Sequence, residues 1–181
     1  MIVVAFPEVA GFAGSRMLDG YADSRGWSGY ICSVEETRTG RHVPVKATGA
    51  VSSSARPLIE RYAREDFLDD DPVRCWIMEH GRPVIWTVDE FRCSGSRRQR
   101  ELFSIVADAG FHSGMSIPLF GPANIRGSLV ALDASDGIGV DRAIEEVKES
   151  VSLGNALIGC ACRHSQPDAA PHDAPAGKSS T

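Results

Sequence analysis

The sequence lacks a long apolar run and lacks cysteines spaced for a shared metal ion. No window approaches the roughly 20 apolar residues that a membrane span requires, so we expect no contact with a membrane. The five cysteines are odd in number and none form a CxxC pair, which argues against a disulfide framework and a zinc site. The opening MIVVAF has no positive leader of a signal peptide. These absences predict a cytoplasmic protein.

The sequence is also poor in the signs of nucleic-acid binding and of catalysis. Its net charge is -5, whereas a dedicated nucleic-acid binder carries a basic surface. No GxSxG, HExxH, P-loop or Cys-His signature is present, and no GxGxxG follows a strand. We therefore expect no enzyme activity, no resident cofactor or metal, and no direct contact with DNA.

Hydrophobic periodicity predicts alternating helices and hairpins. The expected helices cover 7–24, 57–67, 72–80, 97–109 and 141–164, and the expected strands cover 27–34, 42–51, 83–86, 113–120 and 128–135. Because hairpins outnumber crossovers, this order predicts an α+β fold: a three-layer α-β-α sandwich around a largely antiparallel five-stranded sheet. We expect one domain over 1–164 and a disordered tail over 165–181, where proline and small polar residues prevail.

The segment from Tyr62 to Trp86 is the most informative part of the sequence. Asp71 followed by Pro72 is a preferred helix start, and Gly81 just after His80 is a preferred helix end. Tyr62, Asp71 and Trp86 then place a phenol, a carboxylate and an indole around one prospective apolar cavity. Small-molecule sites usually have this composition, although aromatics at such spacings are also common in ordinary cores.

Several motifs together resemble the autoinducer-binding domain of LuxR-type quorum-sensing regulators. They are YAREDFLDDDPVRCW, PVIW, ADAGFHSGMSIPLFGP and SLVALDAS, with Tyr62, Asp71-Pro72, Trp86 and Gly114 at the spacing of that family. The resemblance covers about 26–135. It implies a cavity for an acyl-homoserine lactone between the sheet and the helices, and dimerisation through helices that include the last one.

The resemblance also implies residue roles. Asp71 matches the acceptor for the ligand amide N–H, and Tyr62 and Trp86 match aromatic walls around the lactone. The further ligand-binding positions that it implies, or that the hairpins and helices bring to the same face, are Ser54, Leu58, Val73, Phe103, Phe111, Met115 and Ser116.

Two positions depart from the family pattern. Leu58 stands where the family places a Trp that donates to the lactone carbonyl, and Ser54 stands where many members place a Tyr. Two lost donors weaken lactone binding by about 1 to 3 kcal/mol each unless something replaces them. A ligand with a bulkier, less polar head group is therefore one hypothesis, and an empty or collapsed pocket kept only for folding is another.

Three functions remain open at this stage. The chain ends where a helix-turn-helix domain would follow in the family, so the first is a stand-alone regulator that pairs with itself or sequesters a LuxR-type regulator. The second is a receptor for an altered small-molecule signal. The third is a sensor domain of the GAF or PAS type with a different ligand, since such domains use comparable antiparallel sheets.

Overall fold

The computed structural model describes residues 14–37, 44–122, 125–137 and 140–164. The helices are α1 (Ser15–Arg25), α2 (Arg56–Arg64), α3 (Pro72–His80), α4 (Val88–Ser94), α5 (Arg97–Asp108) and α6 (Val140–His164). The strands are β1 (Gly29–Thr37), β2 (Pro44–Val51), β3 (Val84–Thr87), β4 (Ser113–Phe120) and β5 (Ile125–Asp133).

The five strands form one antiparallel sheet in the order β2-β1-β5-β4-β3. Both expected hairpins are present, and β1 joins them by pairing with β5. Helices cover both faces of the sheet, which confirms the predicted α+β sandwich.

The sheet separates two apolar cores because successive side chains of a strand point to opposite faces. Along β1, Tyr30, Cys32 and Val34 pack with α1 and α6 on one side. Ile31 on the same strand packs with the second core, which α2, α3, α4 and α5 cover. The cavity described below lies on this second side.

The helix starts follow from local sequence. Asp71 caps α3, Thr87 with Glu90 forms a capping box at α4, and Ser96 with Gln99 forms another at α5. In each case a side-chain oxygen accepts from backbone N–H groups that have no partner inside the helix. The TxxE pattern at Thr87 is the signal that would have predicted α4, which the sequence analysis missed.

The remaining differences concern element ends. The predicted helix over 57–67 stops at Arg64, because Asp66 adopts a positive φ of 55° and the chain turns. Strand β5 begins at Ile125, where the sequence predicted a turn, since its first residues pair with the end of β1. The predicted start of the first helix at 7–13 and the predicted tail at 165–181 lie outside the described residues.

Candidate functional site

A cavity of about 110 Å³ lies between the sheet and helices α2, α3 and α5. Most of the cavity wall is apolar, and each of the three helices supplies apolar side chains to it. These side chains are Leu58, Ile59, Val73, Ile77, Leu102 and Val106. They lie at helical spacing on the inner faces, so the same residues that hold the helices on the sheet also form the wall of the cavity.

The register of the sheet gives the cavity its length. Leu132, Val130 and Ser128 on β5 all line it, and they are successive same-face residues of one strand. The four residue steps from Ser128 to Leu132 span about 13 Å of antiparallel strand. The cavity wall therefore extends along β5 as an elongated channel, which suits an extended chain.

Asp71 is the central polar group of the wall. Its Oδ1 accepts from the backbone N–H groups of Val73 at 2.9 Å and Arg74 at 3.1 Å, which caps α3. Its Oδ2 accepts from the Tyr62 hydroxyl at 3.2 Å. An ionised carboxylate offers about four lone-pair positions, so Oδ2 retains capacity for one further donor.

Burial shifts the protonation of both groups. Removal from water raises the pKa of the Asp71 carboxyl above its ordinary value, although the cap N–H groups and the Tyr62 hydroxyl oppose the rise. Removal from water also raises the pKa of Tyr62, and the neighbouring Asp71 charge adds to that effect. The tyrosine is therefore a hydrogen-bond donor at neutral pH.

Trp86 closes the cavity at the β3 edge. Its indole N–H donates to Ser116 Oγ at 3.0 Å, and its ring meets Phe103 edge-on with centroids 5.6 Å apart. Gly114 is paired with Trp86 across β3 and β4, and a Cβ there would collide with the indole ring. Because the indole ring lies so close to the backbone, position 114 accommodates only glycine without a shift of Trp86.

A second polar group lies further along the channel. Arg74 donates through Nη2 to Glu35 Oε2 at 3.2 Å, and both side chains are largely buried, at 23% and 8% exposed. Next to them the hydroxyls of Ser33 and Ser128 share a hydrogen bond at 3.1 Å across β1 and β5. All four residues line the cavity.

The structure brings most of the predicted site residues together. The predicted residues that line the cavity are Tyr62, Asp71, Trp86, Leu58, Val73, Phe103 and Ser116. They come from α2, the start of α3, β3, α5 and β4, as the element order had suggested.

Three predicted residues lie elsewhere, which corrects their expected positions. Met115 is fully buried in the other core, because it precedes Ser116 on β4 and points to the opposite face. Ser54 is exposed and donates to the Ser28 carbonyl at 2.8 Å, so it does not line the cavity. Phe111 is buried beside Gly29, beyond the end of the channel.

The sequence analysis missed the polar residues on the sheet and on α3. Alternation along Ile31, Ser33 and Glu35 would have placed all three on one face of β1. Arg74 gave no such signal, since an arginine in the first turn of a helix is ordinarily solvated. No group of three or more potential metal-ligating side chains occurs among the residues that the structure describes.

A family model described as an autoinducer binding domain matches residues 16–160. The chain belongs to the autoinducer binding domain family. No curated protein sequence matches it at a significant level. Within the described ranges, no helix of the domain has both the length and the apolar character needed to cross a bilayer.

Solved structures share the fold of this domain at low sequence identity. The N-acylhomoserine lactone dependent LuxR family transcription factor CepR2 from Burkholderia cenocepacia is 19% identical, with a TM-score of 0.60 over 77% of this chain and 81% of that one. SdiA from Escherichia coli is 17% identical, with a TM-score of 0.63 over 81% of this chain. SdiA in complex with octanoyl-rac-glycerol is 18% identical, with a TM-score of 0.65 over 83% of this chain. The match covers 59% of either SdiA chain, so this domain spans about three fifths of that protein's length.

Proposed function

We propose that the domain binds a small amphiphilic signal in its cavity, either an acyl-homoserine-lactone-like molecule or a non-lactone acyl compound. The observation that carries this proposal is the Asp71–Tyr62 pair, which presents a carboxylate oxygen to a largely apolar channel. Burying a carboxylate is costly unless donors surround it. A ligand N–H or O–H would supply the donor for which Oδ2 retains capacity.

The remaining wall residues then take complementary roles. Tyr62 and Trp86 flank the head of the ligand, and Ser116 offers its hydroxyl proton because its oxygen already accepts from the indole N–H. Val73 and Phe103 contact the acyl chain together with the other apolar wall residues. Membership of the autoinducer binding domain family supports this orientation.

The head group is expected to differ from a simple lactone. Leu58 lines the cavity but has no donor, and Ser54 lies outside it, so neither supplies a hydrogen bond to a lactone carbonyl. A glycerol head brings its own hydroxyl donors to Asp71 and needs fewer donors from the wall. SdiA in complex with octanoyl-rac-glycerol is a structural relative that supports including such esters.

Thermal unfolding with a defined panel tests the proposal. N-hexanoyl- and N-octanoyl-homoserine lactone and 1-octanoylglycerol are added to the protein in excess. A compound present at about 100 times its dissociation constant should add about 2.7 kcal/mol to the free energy of unfolding. No stabilisation by any member contradicts the proposal, and it would favour the alternative of a GAF- or PAS-like sensor with another ligand.

A matched pair of variants separates ligand binding from helix capping. Asp71→Asn keeps the cap, because asparagine caps a helix about as well as aspartate, but it loses the charged acceptor. We expect this variant to lose the ligand-induced stabilisation. Asp69→Asn, on the exposed turn two residues earlier, should retain it. Full stabilisation of Asp71→Asn would leave Asp71 with a capping role alone.

We also propose that the domain acts in pairs, as a homodimer or with a LuxR-type regulator, through α1 and α6. These helices lie side by side, with the Tyr21 hydroxyl 3.4 Å from Ser150 Oγ, and their outer faces expose Met17 and Val151. Sedimentation velocity should show a concentration-dependent dimer that Val151→Glu weakens. A monomer at every concentration, with no capture of a full-length LuxR-type regulator, contradicts pairing.

A further inference from the structure

We propose that the Glu35–Arg74 end of the channel is a second recognition site, which selects a ligand whose acyl chain carries an uncharged oxygen group far from its head. This inference rests on the proposed ligand-binding function and names the ligand class more closely. The residues that carry it are Glu35, Arg74, Ser33 and Ser128.

The polar side chains of the channel wall are separated along the strands. Ser33 and Ser128 face each other across β1 and β5, whereas Ser116 pairs with Val130 two residues away along β5. Trp86 pairs with Gly114, and Gly114 pairs with Leu132, a further two residues away. Trp86 therefore lies at one end of the wall and the Ser33–Ser128 pair at the other, about 13 Å away along β5, with Ser116, Val130 and Ile31 between them.

Arg74 and the two serines retain hydrogen-bond donors that a ligand could use. A guanidinium carries five N–H donors, and among the described residues the Arg74 side chain donates only through Nη2, to Glu35. The Ser33 and Ser128 hydroxyls share one hydrogen bond, so one of the two protons remains for another acceptor. A hydroxyl or ketone oxygen on the ligand would accept from these donors.

Burying the Glu35–Arg74 ion pair costs desolvation free energy. A buried pair is commonly no more stabilising than apolar side chains of similar volume, so holding α3 on the sheet does not require it. Its position on the channel wall is accounted for when a ligand oxygen uses the spare donors.

Charge favours an uncharged group over a carboxylate. The Arg74 guanidinium already faces the Glu35 carboxylate, which balances its charge. A ligand carboxylate would add a second acidic group beside this one cation. A hydroxyl or ketone satisfies the donors without that repulsion.

Matched ligands test the inference. N-hexanoyl- and N-octanoyl-homoserine lactone and the corresponding 1-acylglycerols are compared by calorimetry with their ω-hydroxy and ω-carboxy analogues. Wild type should bind at least one ω-hydroxy compound about tenfold more tightly than its plain parent, since a hydrogen bond to a charged group is worth about that much. The ω-carboxy analogue should bind more weakly than the ω-hydroxy one.

The double variant Glu35→Leu with Arg74→Leu supplies the control. Removing both charges together leaves no unpaired buried ion, so the fold should survive. The variant should lose or reverse the preference for the ω-hydroxy compounds over the plain compounds. Replacing the exposed pair Arg97 and Glu101 by alanine should leave the preference intact, because neither residue lines the channel.

The outcomes separate the two proposals. Equal binding of plain and ω-hydroxy compounds by wild type, or an unchanged preference in the double variant, overturns this inference and leaves the proposed function standing. Tightest binding of the ω-carboxy compounds overturns the assignment to an uncharged group. Absence of binding by every compound overturns the proposed function and this inference with it.

Discussion

Asp71 combines a structural and a chemical role through its two oxygens. Oδ1 holds the first turn of α3, while Oδ2 faces Tyr62 and the channel. Because one side chain serves both purposes, the local signal of a helix start and the signal of a binding site coincide in the sequence. Only variants that preserve the cap can separate them.

We predict that Asp71→Asn changes how stability depends on pH. Burial raises the pKa of Asp71 above 3.8, so the folded protein holds this proton more tightly than the unfolded chain does. The wild-type free energy of unfolding therefore falls as pH rises from about 4 to the raised pKa, and it stays low above it. Asparagine removes this component. Urea unfolding of both proteins between about pH 4 and pH 8 measures the difference.

The control for this prediction is Asp71→Ala. It removes both cap bonds as well as the charge, so it should be about 1 kcal/mol less stable than Asp71→Asn at every pH. If the difference in free energy of unfolding between wild type and Asp71→Asn stays constant with pH, the Asp71 carboxyl does not change its protonation on folding.

Individual side chains were predictable where local rules govern them. Tyr62, Asp71 and Trp86 were expected at one cavity, and all three line it, because cap chemistry and spacing act over short stretches of chain. Met115 was misplaced because adjacent strand residues face opposite sides, and both it and Ser116 were assigned to the site. The Glu35–Arg74 pair was missed because it joins residues 39 apart in the chain, which no local pattern reveals.

At the scale of elements, Arg98 of α5 anchors the connection between α2 and α3 through hydrogen bonds. Arg98 donates through Nε to Asp70 at 3.0 Å and through Nη2 to the Glu65 carbonyl at 2.8 Å. Its guanidinium also lies 4.2 Å from the Phe67 ring centroid. One side chain thus fixes the turn that carries Leu68 to the channel and leads into Asp71.

We predict that Arg98→Ala loosens this turn. Amide hydrogen exchange over 65–71 should become about tenfold faster or more, because the backbone loses its anchor to α5. Arg97→Ala is the matched control, since Arg97 is 88% exposed and, among the residues that the structure describes, forms an ion pair only with Glu101 of its own helix. Equal exchange in the two variants would show that Phe67 packing alone holds the turn.

The elements themselves were largely predictable. Period, caps and glycine stops located five helices and five strands, because amphipathic patterns and turn chemistry are local. Helix α4 was missed since its seven residues are too few for periodicity, and only the capping box at Thr87 marked it. The early start of β5 depends on pairing with β1, which is distant in the sequence, so no local pattern could predict it.

For the whole molecule, the two sides of the sheet differ in packing. Leu157 on α6 is 0% exposed in the core that α1 and α6 cover, and Leu58 on α2 is 4% exposed but borders the channel. Both leucines are thus buried, and Leu58 has the channel beside it.

We predict opposite effects of the same substitution on the two sides. Leu58→Phe should fill part of the channel and raise the free energy of unfolding by about 0.5 to 2 kcal/mol, while reducing ligand-induced stabilisation. Leu157→Phe should lower it by about 1 to 3 kcal/mol, because a tightly packed core cannot take the larger ring. Chemical denaturation measures both. Destabilisation of similar size by both variants would indicate that α2 cannot adjust around the channel.

The alternation along β1 also makes this strand intolerant of insertion. A slip of a single residue in its pairing would turn Tyr30, Cys32 and Val34 toward the channel and drive Glu35 into the solid half of the molecule, away from Arg74. An unpaired buried charge of that kind costs about 3 to 5 kcal/mol. The buried charge of Glu35 therefore helps to fix the register of β1, since a shift by one residue would separate it from Arg74.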